Sequence, residues 1–385
     1  MLAVVAAAFL FNLGQGVLRP SMPLYLQHVF GATYRMVTLI PMVFGAGKWL
    51  ASLPTGYLLD RLGRRRLMVG GLLLIAGCDV ASVMVAAYGA FLVCRALAGI
   101  GWAMFGTVAT TTMVDTSARR RARRVSVLLM SETGGLLLGS AAGGWMYQGL
   151  GAASPFGFEA ACMVTGAMLV AGWATAPLAR PAPPPSGVRR ELGAVLRTRG
   201  VLRMGVTNAA LTAVQTGVVV FLFPLYLLNR VHLTPGAVGL LVSLSVLGRL
   251  LALWLAGGIA DRARRQRVLP IGLLAYAALL ASVTFLAHPI ALGLWSLALG
   301  SAAGFVGPLP TAIIGDVVAP AQHGSAIGWL RTMTDTGQIV GPLVLGALAD
   351  AGDLATAFLA GAAVLVATAW PGGRGASTRA AATGS

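Results

Sequence analysis

The sequence predicts an all-α integral membrane protein of twelve transmembrane helices, arranged as two related halves of six. Three observations lead there. The 385 residues are 57% hydrophobic and only 10% charged, with a mean hydropathy of +0.82, whereas a soluble domain carries roughly 25% charged residues. The apolar residues fall into twelve runs, each near the ~20 residues that cross a bilayer. The chain also repeats itself at an offset of 201 residues: positions 23–66 lie over 224–267 without a gap and are identical at 15 of 44 places. A period that long is not a solenoid but a duplicated domain.

Taken in order, the first span (2–26) has no basic leader segment and continues through Asn12, Gln15 and Arg19, so it reads as a membrane helix and not a signal peptide. The following spans are 36–59, 67–87, 90–114, 125–148 and 156–178. The segment 179–202 carries a proline cluster and then Arg189 and Arg190, which reads as a linker. The second half spans 203–228, 236–260, 268–287, 290–315, 325–349 and 354–370. The domains are therefore 1–178, a linker at 179–202, 203–371, and a C-terminal tail at 372–385.

Charge placement orients the chain. Of 28 basic residues, 21 lie in 60–66, 115–124, 179–203, 261–267 and the tail, all on one side. Only Arg35 and Arg230 lie on the other. The arginine-rich side is expected to be cytoplasmic, with both termini there. The net charge of +17 is spread between apolar runs and not along one face, which argues against nucleic acid as a partner. Cys78, Cys94 and Cys162 sit inside apolar runs, and the four histidines lack metal-ligand spacing, so no disulfide framework or metal site is expected. The glycine-rich stretches lack the lysine and hydroxyl of a phosphate loop, which argues against an ATP-driven pump. No clustered nucleophile or acid pair suggests an enzyme.

The most visible part of the repeat is a charged cluster after the second span of each half. Gly56, Asp60, Arg61, Gly63 and Arg64 in the first copy correspond to Gly257, Asp261, Arg262, Arg264 and Arg265 in the second. Topology alone explains the arginines but not an aspartate at a fixed offset. Such a carboxylate can accept from backbone N–H groups at a neighbouring helix start, where the dipole favours negative charge. Arg64 can pair with Asp115, and Arg265 with Asp316.

These clusters, the six-plus-six spans and the central linker resemble the major facilitator superfamily of secondary transporters. Arg95, Gly99 and Gly101 in the fourth span resemble the family's intramembrane-arginine motif, with Ala98 where glutamine is frequent. Gly135, Gly139 and Gly143 in the fifth resemble its antiporter motif, with Ser140 in place of proline; a Gly–Pro pair stands instead at Gly341 and Pro342. Within the superfamily the combination is most similar to twelve-helix proton-coupled drug exporters. The resemblance implies that the Asp–Arg clusters latch the halves at the cytoplasmic face. It also implies that helix 5 faces helix 8, and helix 2 faces helix 11, across the interface.

Ionisable residues inside a membrane are functional candidates by default. Glu132 and Arg249 stand at depths that allow a pair between helices 5 and 8, and Asp335 and Lys48 between helices 11 and 2. These two pairs are expected to form as the cytoplasmic side closes, with a proton on either acid weakening its pair. Local partners compete: Arg331 lies four residues before Asp335, and Asp79 is level with Lys48. The glycine row is either static packing or a sliding contact between halves. Substrate residues are expected where the copies differ: Asn12, Gln15, Asp79 and Arg95 align with Ala213, Thr216, Leu280 and Ser296. Asn208 and Gln215 are further candidates. Arg95 is expected against helix 1, where it can meet Gln15 or a bound substrate, and Arg19 is expected to snorkel to the outer interface.

The sequence reading is a secondary active transporter working by alternating access, with proton-coupled efflux of a small apolar or cationic compound as the leading mode. Uptake or facilitated diffusion of a small metabolite is the alternative. No cofactor is expected beyond a proton gradient. The partners are a small-molecule substrate and the lipid bilayer, and the functional unit is a monomer in the bacterial inner membrane.

Overall fold

The computed structural model describes residues 2–115, 121–172, 199–256, 262–286, 288–318 and 323–369. All of their regular structure is helical, and twelve helices form two bundles of six. The first bundle holds α1 (Leu2–Phe30), α2 (34–62), α3 (64–84), α4 (Tyr88–Asp115), α5 (Arg121–Leu150) and α6 (Ser154–Ala171). In the second, α7 runs as Arg199–Val214, a wide π-helical stretch Gln215–Leu222, and Phe223–Asn229. It is followed by α8 (Pro235–Ala256), α9 (Arg262–Ser282) and α10, whose arms Pro289–Val306 and Leu309–Val317 meet at Gly307 and Pro308. The bundle ends with α11 (His323–Ala351) and α12 (Leu354–Ala369). Eight helices among the described residues are long and apolar enough to cross a membrane.

The sequence places a loop at 60–66, but the chain stays helical through Tyr34–Met84 except at Gly63, with φ 78° and ψ 161°. Only glycine enters that region without steric cost, so one residue breaks the long helix into α2 and α3. The linker and tail boundaries fall largely outside the described residues, as do the side chains of Gly56, Asp60, Arg61, Asp115, Asp261, Arg262 and Arg265. Arg64 and Asp316 are described, and both are partly buried.

The duplication is visible in atomic contacts. The Tyr25 hydroxyl reaches the Ser82 carbonyl at 3.5 Å, and Tyr226, its counterpart in the second copy, reaches that of Val283 at 3.0 Å. Gly47 and Gly99 bring α2 and α4 into backbone contact, and Gly248 and Gly300 do the same for α8 and α10. A Cβ at any of these four would collide with a carbonyl of the partner helix, and small residues allow such close approach where no hydrophobic force drives helices together.

Across the interface α5 packs on α8 and α2 on α11. The contacts concentrate at the arginine-poor end. Gly144 abuts Pro235 and Gly239, and Gly346 abuts Thr38. Asp350 caps the first turn of α2, accepting from Tyr34 N at 2.8 Å and Arg35 N at 3.0 Å. Gln148 Oε1 accepts from Gly236 N, at 3.2 Å, in the first turn of α8. An aromatic group formed by Tyr25, Phe30, Tyr88, Phe91 and Phe156 packs at the same end and is joined from the other half by Leu225.

Candidate functional site

Between the halves lies a cavity of three adjoining lobes, about 560, 520 and 160 Å³, all lined by both Arg19 and Val220. It reaches towards the arginine-rich end as far as Asn208, Leu253 and Gly307. Arg19 and Val220 are equivalent positions of the two copies, so the cavity centre carries a cation on one lip and a methyl-bearing side chain on the other. Gln15 and its counterpart Thr216 both line the smallest lobe.

The sequence expectation for Arg19 is corrected here. Because α1 continues to Phe30, Arg19 lies about 16 Å from the helix end at 1.5 Å per residue, too deep to snorkel. It faces the cavity together with Arg249, close enough for the two charges to interact. Glu132 lines the same lobe as Arg249, yet no ion pair joins them among the described residues.

Lys48 Nζ lies 3.5 Å from Asp335 Oδ1 and 4.4 Å from the centre of the Trp102 ring. Asp335 meets this lysine and not Arg331, whose side chain is exposed. The two pairs proposed as symmetric are therefore not formed together: one is made and the other is split by the cavity. The Lys48 contact coexists with a joined arginine-poor end.

Other candidates are placed as follows. Asn208 Nδ2 donates to Thr334 Oγ1 at 2.5 Å, linking α7 to α11 beside the largest lobe. Gln215 Oε1 accepts from the Tyr276 hydroxyl at 3.3 Å and opens the π-helical stretch, a local widening often found at functional sites. Asn12 Nδ2 returns to the Ala8 carbonyl at 3.0 Å, and its side chain lines the lobe that holds Glu132. The row Gly135, Gly139 and Gly143 faces Phe9, Leu13 and Val17 of α1, in its own half. The sliding-contact reading of that row is thus replaced: the cross-half contact of α5 uses Gly144, the next residue on. In the same way Gly337 and Gly341 pack on α7, and Pro342 sits against Gly217.

Arg95 does not bond Gln15. Its Nη2 donates to Asp79 Oδ1 at 2.9 Å, Ser82 Oγ at 2.7 Å and the Cys78 carbonyl at 3.2 Å. Gln15 instead donates to Glu159 Oε1 at 2.5 Å. Glu159, in α6, is wholly buried, and sequence reasoning did not single it out. A lone carboxylate within the apolar run 156–171 was the available signal.

Two six-helix bundles around a central polar cavity, with broken or widened helices beside it, define a secondary transporter fold. The sequence profile of the Major Facilitator Superfamily matches residues 4–229 and again 205–373, and the chain belongs to that superfamily. It is 27% identical over 311 residues to the multidrug resistance protein MdtH of Aeromonas hydrophila, covering 77% of this chain and 74% of that one. It is 24% identical over 352 residues to the quinolone resistance protein NorA of Staphylococcus aureus, covering 89% and 88%. Among solved structures, the nucleoside transporter NupG superposes with a TM-score of 0.82 at 15% identity, covering 96% of each chain.

Proposed function

We propose that this protein is a proton-coupled, alternating-access exporter whose cargo is a small polar compound bearing a negative group. The observation that carries the cargo class is the pair of guanidinium groups, Arg19 and Arg249, that face one cavity between the halves without a carboxylate paired to either among the described residues. Two guanidinium groups facing one narrow cavity attract an anionic group, and a cationic cargo would meet repulsion from both. This moves the reading away from the small apolar or cationic compound that the sequence suggests. Asn208, Gln215, Thr334 and Gln338 offer hydrogen bonds around the charges.

Export and a place in a bacterial inner membrane are supported by the two drug-resistance relatives, and positive charge at the linker side supports cytoplasmic termini. The latch role of Asp60 and Asp261 belongs to the same reading. The test is transport of a compound panel into inverted vesicles with and without a pH gradient. Gradient-driven accumulation of anionic compounds is the expected result. Equilibration unaffected by the gradient would make the protein a facilitator, and selective accumulation of cations would overturn the cargo class.

A further inference from the structure

Four polar side chains from four helices meet inside the first half, beside the smallest cavity lobe: Gln15 of α1, Asp79 of α3, Arg95 of α4 and Glu159 of α6. Asp79 and Glu159 have no exposed surface, and Arg95 has 2%. Asp79 and Glu159 belong to one buried cluster, in which each interacts with the other and with Arg95. Each keeps one oxygen bonded, Asp79 Oδ1 to Arg95 and Glu159 Oε1 to Gln15. The other oxygen of each, Asp79 Oδ2 and Glu159 Oε2, has no donor.

The charge count decides what is missing. Two ionised carboxylates beside one guanidinium leave a net negative charge on carboxylates with no exposed surface, and an unpaired buried charge of that kind is neutralised by protonation. One proton brings the cluster to zero and makes one carboxyl a donor to the other. The remaining titratable groups around the site are Tyr25 of α1, Cys78 of α3, Cys94 of α4 and Cys162 of α6, none of them a cation at neutral pH; Arg19 lines the adjoining cavity lobe and makes no ion pair with either carboxylate among the described residues.

We propose that Asp79 and Glu159 form a proton-binding site in which one proton is held between the two carboxyl groups, and that this proton is the coupling ion of the transport cycle. The second clause rests on the proton-coupled reading above; the first does not. Phe91 and Phe156 lie 5.4 and 5.6 Å from the Arg95 guanidinium and cover it, whereas Gln15 and Arg95 both line the smallest cavity lobe beside Arg19. Proton exchange therefore runs through the cargo cavity. A proton leaves Glu159 or Asp79 for water in that lobe, the cluster becomes anionic, and Gln15 transmits the change to α1, which also carries Arg19.

Infrared spectroscopy of the purified full-length protein tests the site without any transport. At neutral pH the wild type should show a protonated-carboxyl C=O band that is lost in E159Q and shifts when glutamate or aspartate is labelled with ¹³C at the side-chain carboxyl. The label measurement uses the wild-type chain, so it stands even where E159Q or D79N folds poorly, and E132Q should leave the band in place. A wild type without the band, or a band that survives both E159Q and D79N, overturns the site. Proteoliposomes then separate the two clauses: wild-type transport that ignores the pH gradient while the band is present refutes the coupling role alone. Proton-driven transport that E159Q abolishes, with gradient-free exchange retained, supports it.

Discussion

Gln148 and Asp350 stand at equivalent places in the two halves, and each caps the opening turn of a helix in the opposite half. The capped positions, Gly236 and Arg35, are themselves matched by the sequence repeat. Helix starts leave N–H groups without intrahelical partners, so joining the arginine-poor end supplies acceptors that its opening removes. Asp350 adds a full negative charge at the positive end of α2.

Asp350→Ala should therefore favour the state open at that end. A lost cap costs about 1 kcal/mol, which shifts the two populations roughly fivefold. Spin labels at Val29→Cys and Ile290→Cys, exposed positions at that end of each half, should show a longer distance component; the native cysteines are buried. An unchanged distance distribution would deny the cap any part in closure.

Gly144→Leu acts on the same end by volume. A Cβ at Gly144 would overlap the Pro235 carbonyl, so the variant should be held open there, with the same label pair at its long distance. Gly346→Leu, set against Thr38, should behave alike. Either variant showing the wild-type distance counts against these contacts as the closing surface.

For Lys48 and Asp335, both about one-fifth exposed, the pair is expected to contribute no more than about 1 kcal/mol to stability. Its effect should appear in transport. Lys48→Met and Asp335→Asn should each slow transport by up to roughly fivefold if the pair biases one state by about 1 kcal/mol, and the double variant should be no worse than either single one. Additive losses in a double-mutant cycle would show that the two residues act separately.

Arg19→Gln and Arg249→Gln should each weaken binding of an anionic cargo by about tenfold or more, since a charge-assisted hydrogen bond contributes roughly 1.5–3 kcal/mol. Neutral compounds of similar size should bind unchanged. Calorimetry on the purified protein distinguishes the two, and equal losses for both compound classes would point to damaged packing.

Gly139→Leu tests a contact inside one half. The added side chain would strike Leu13 of α1, and overpacking of this kind costs roughly 1–3 kcal/mol. A lower melting temperature is expected with no shift in the Val29–Ile290 label distance, which separates static packing from the moving interface.

The twelve spans and the duplication could be read from the sequence because length, hydropathy and a long repeat are properties of the chain itself, whereas the pairing of α2 with α11 and α5 with α8 followed only from the family resemblance. Which side of a helix meets which neighbour could not be read. Helices apolar all round give no face that periodicity can orient, so Gly139 and Gly144 look interchangeable until the structure shows that one faces α1 and the other α8. Depth was misjudged at Arg19 because α1 runs on past the expected boundary to Phe30. Glu159 and Asp79 needed a third dimension: they lie on separate helices, far apart in the chain, and carry meaning only as neighbours around Arg95.

The reciprocal caps of Gln148 and Asp350 have a further consequence. A surface in which each half offers from α5 or α11 what the other accepts on α8 or α2 has the contact logic of an isologous homodimer, here written into one polypeptide. In a true homodimer every change on one lip appears on the other, so a cavity with a cation opposite an aliphatic residue could not arise. Covalent fusion removes that constraint while preserving the rocking surface. Arg19 opposite Val220 and Asp79 at the position of Leu280 are changes that only a fused pair can hold.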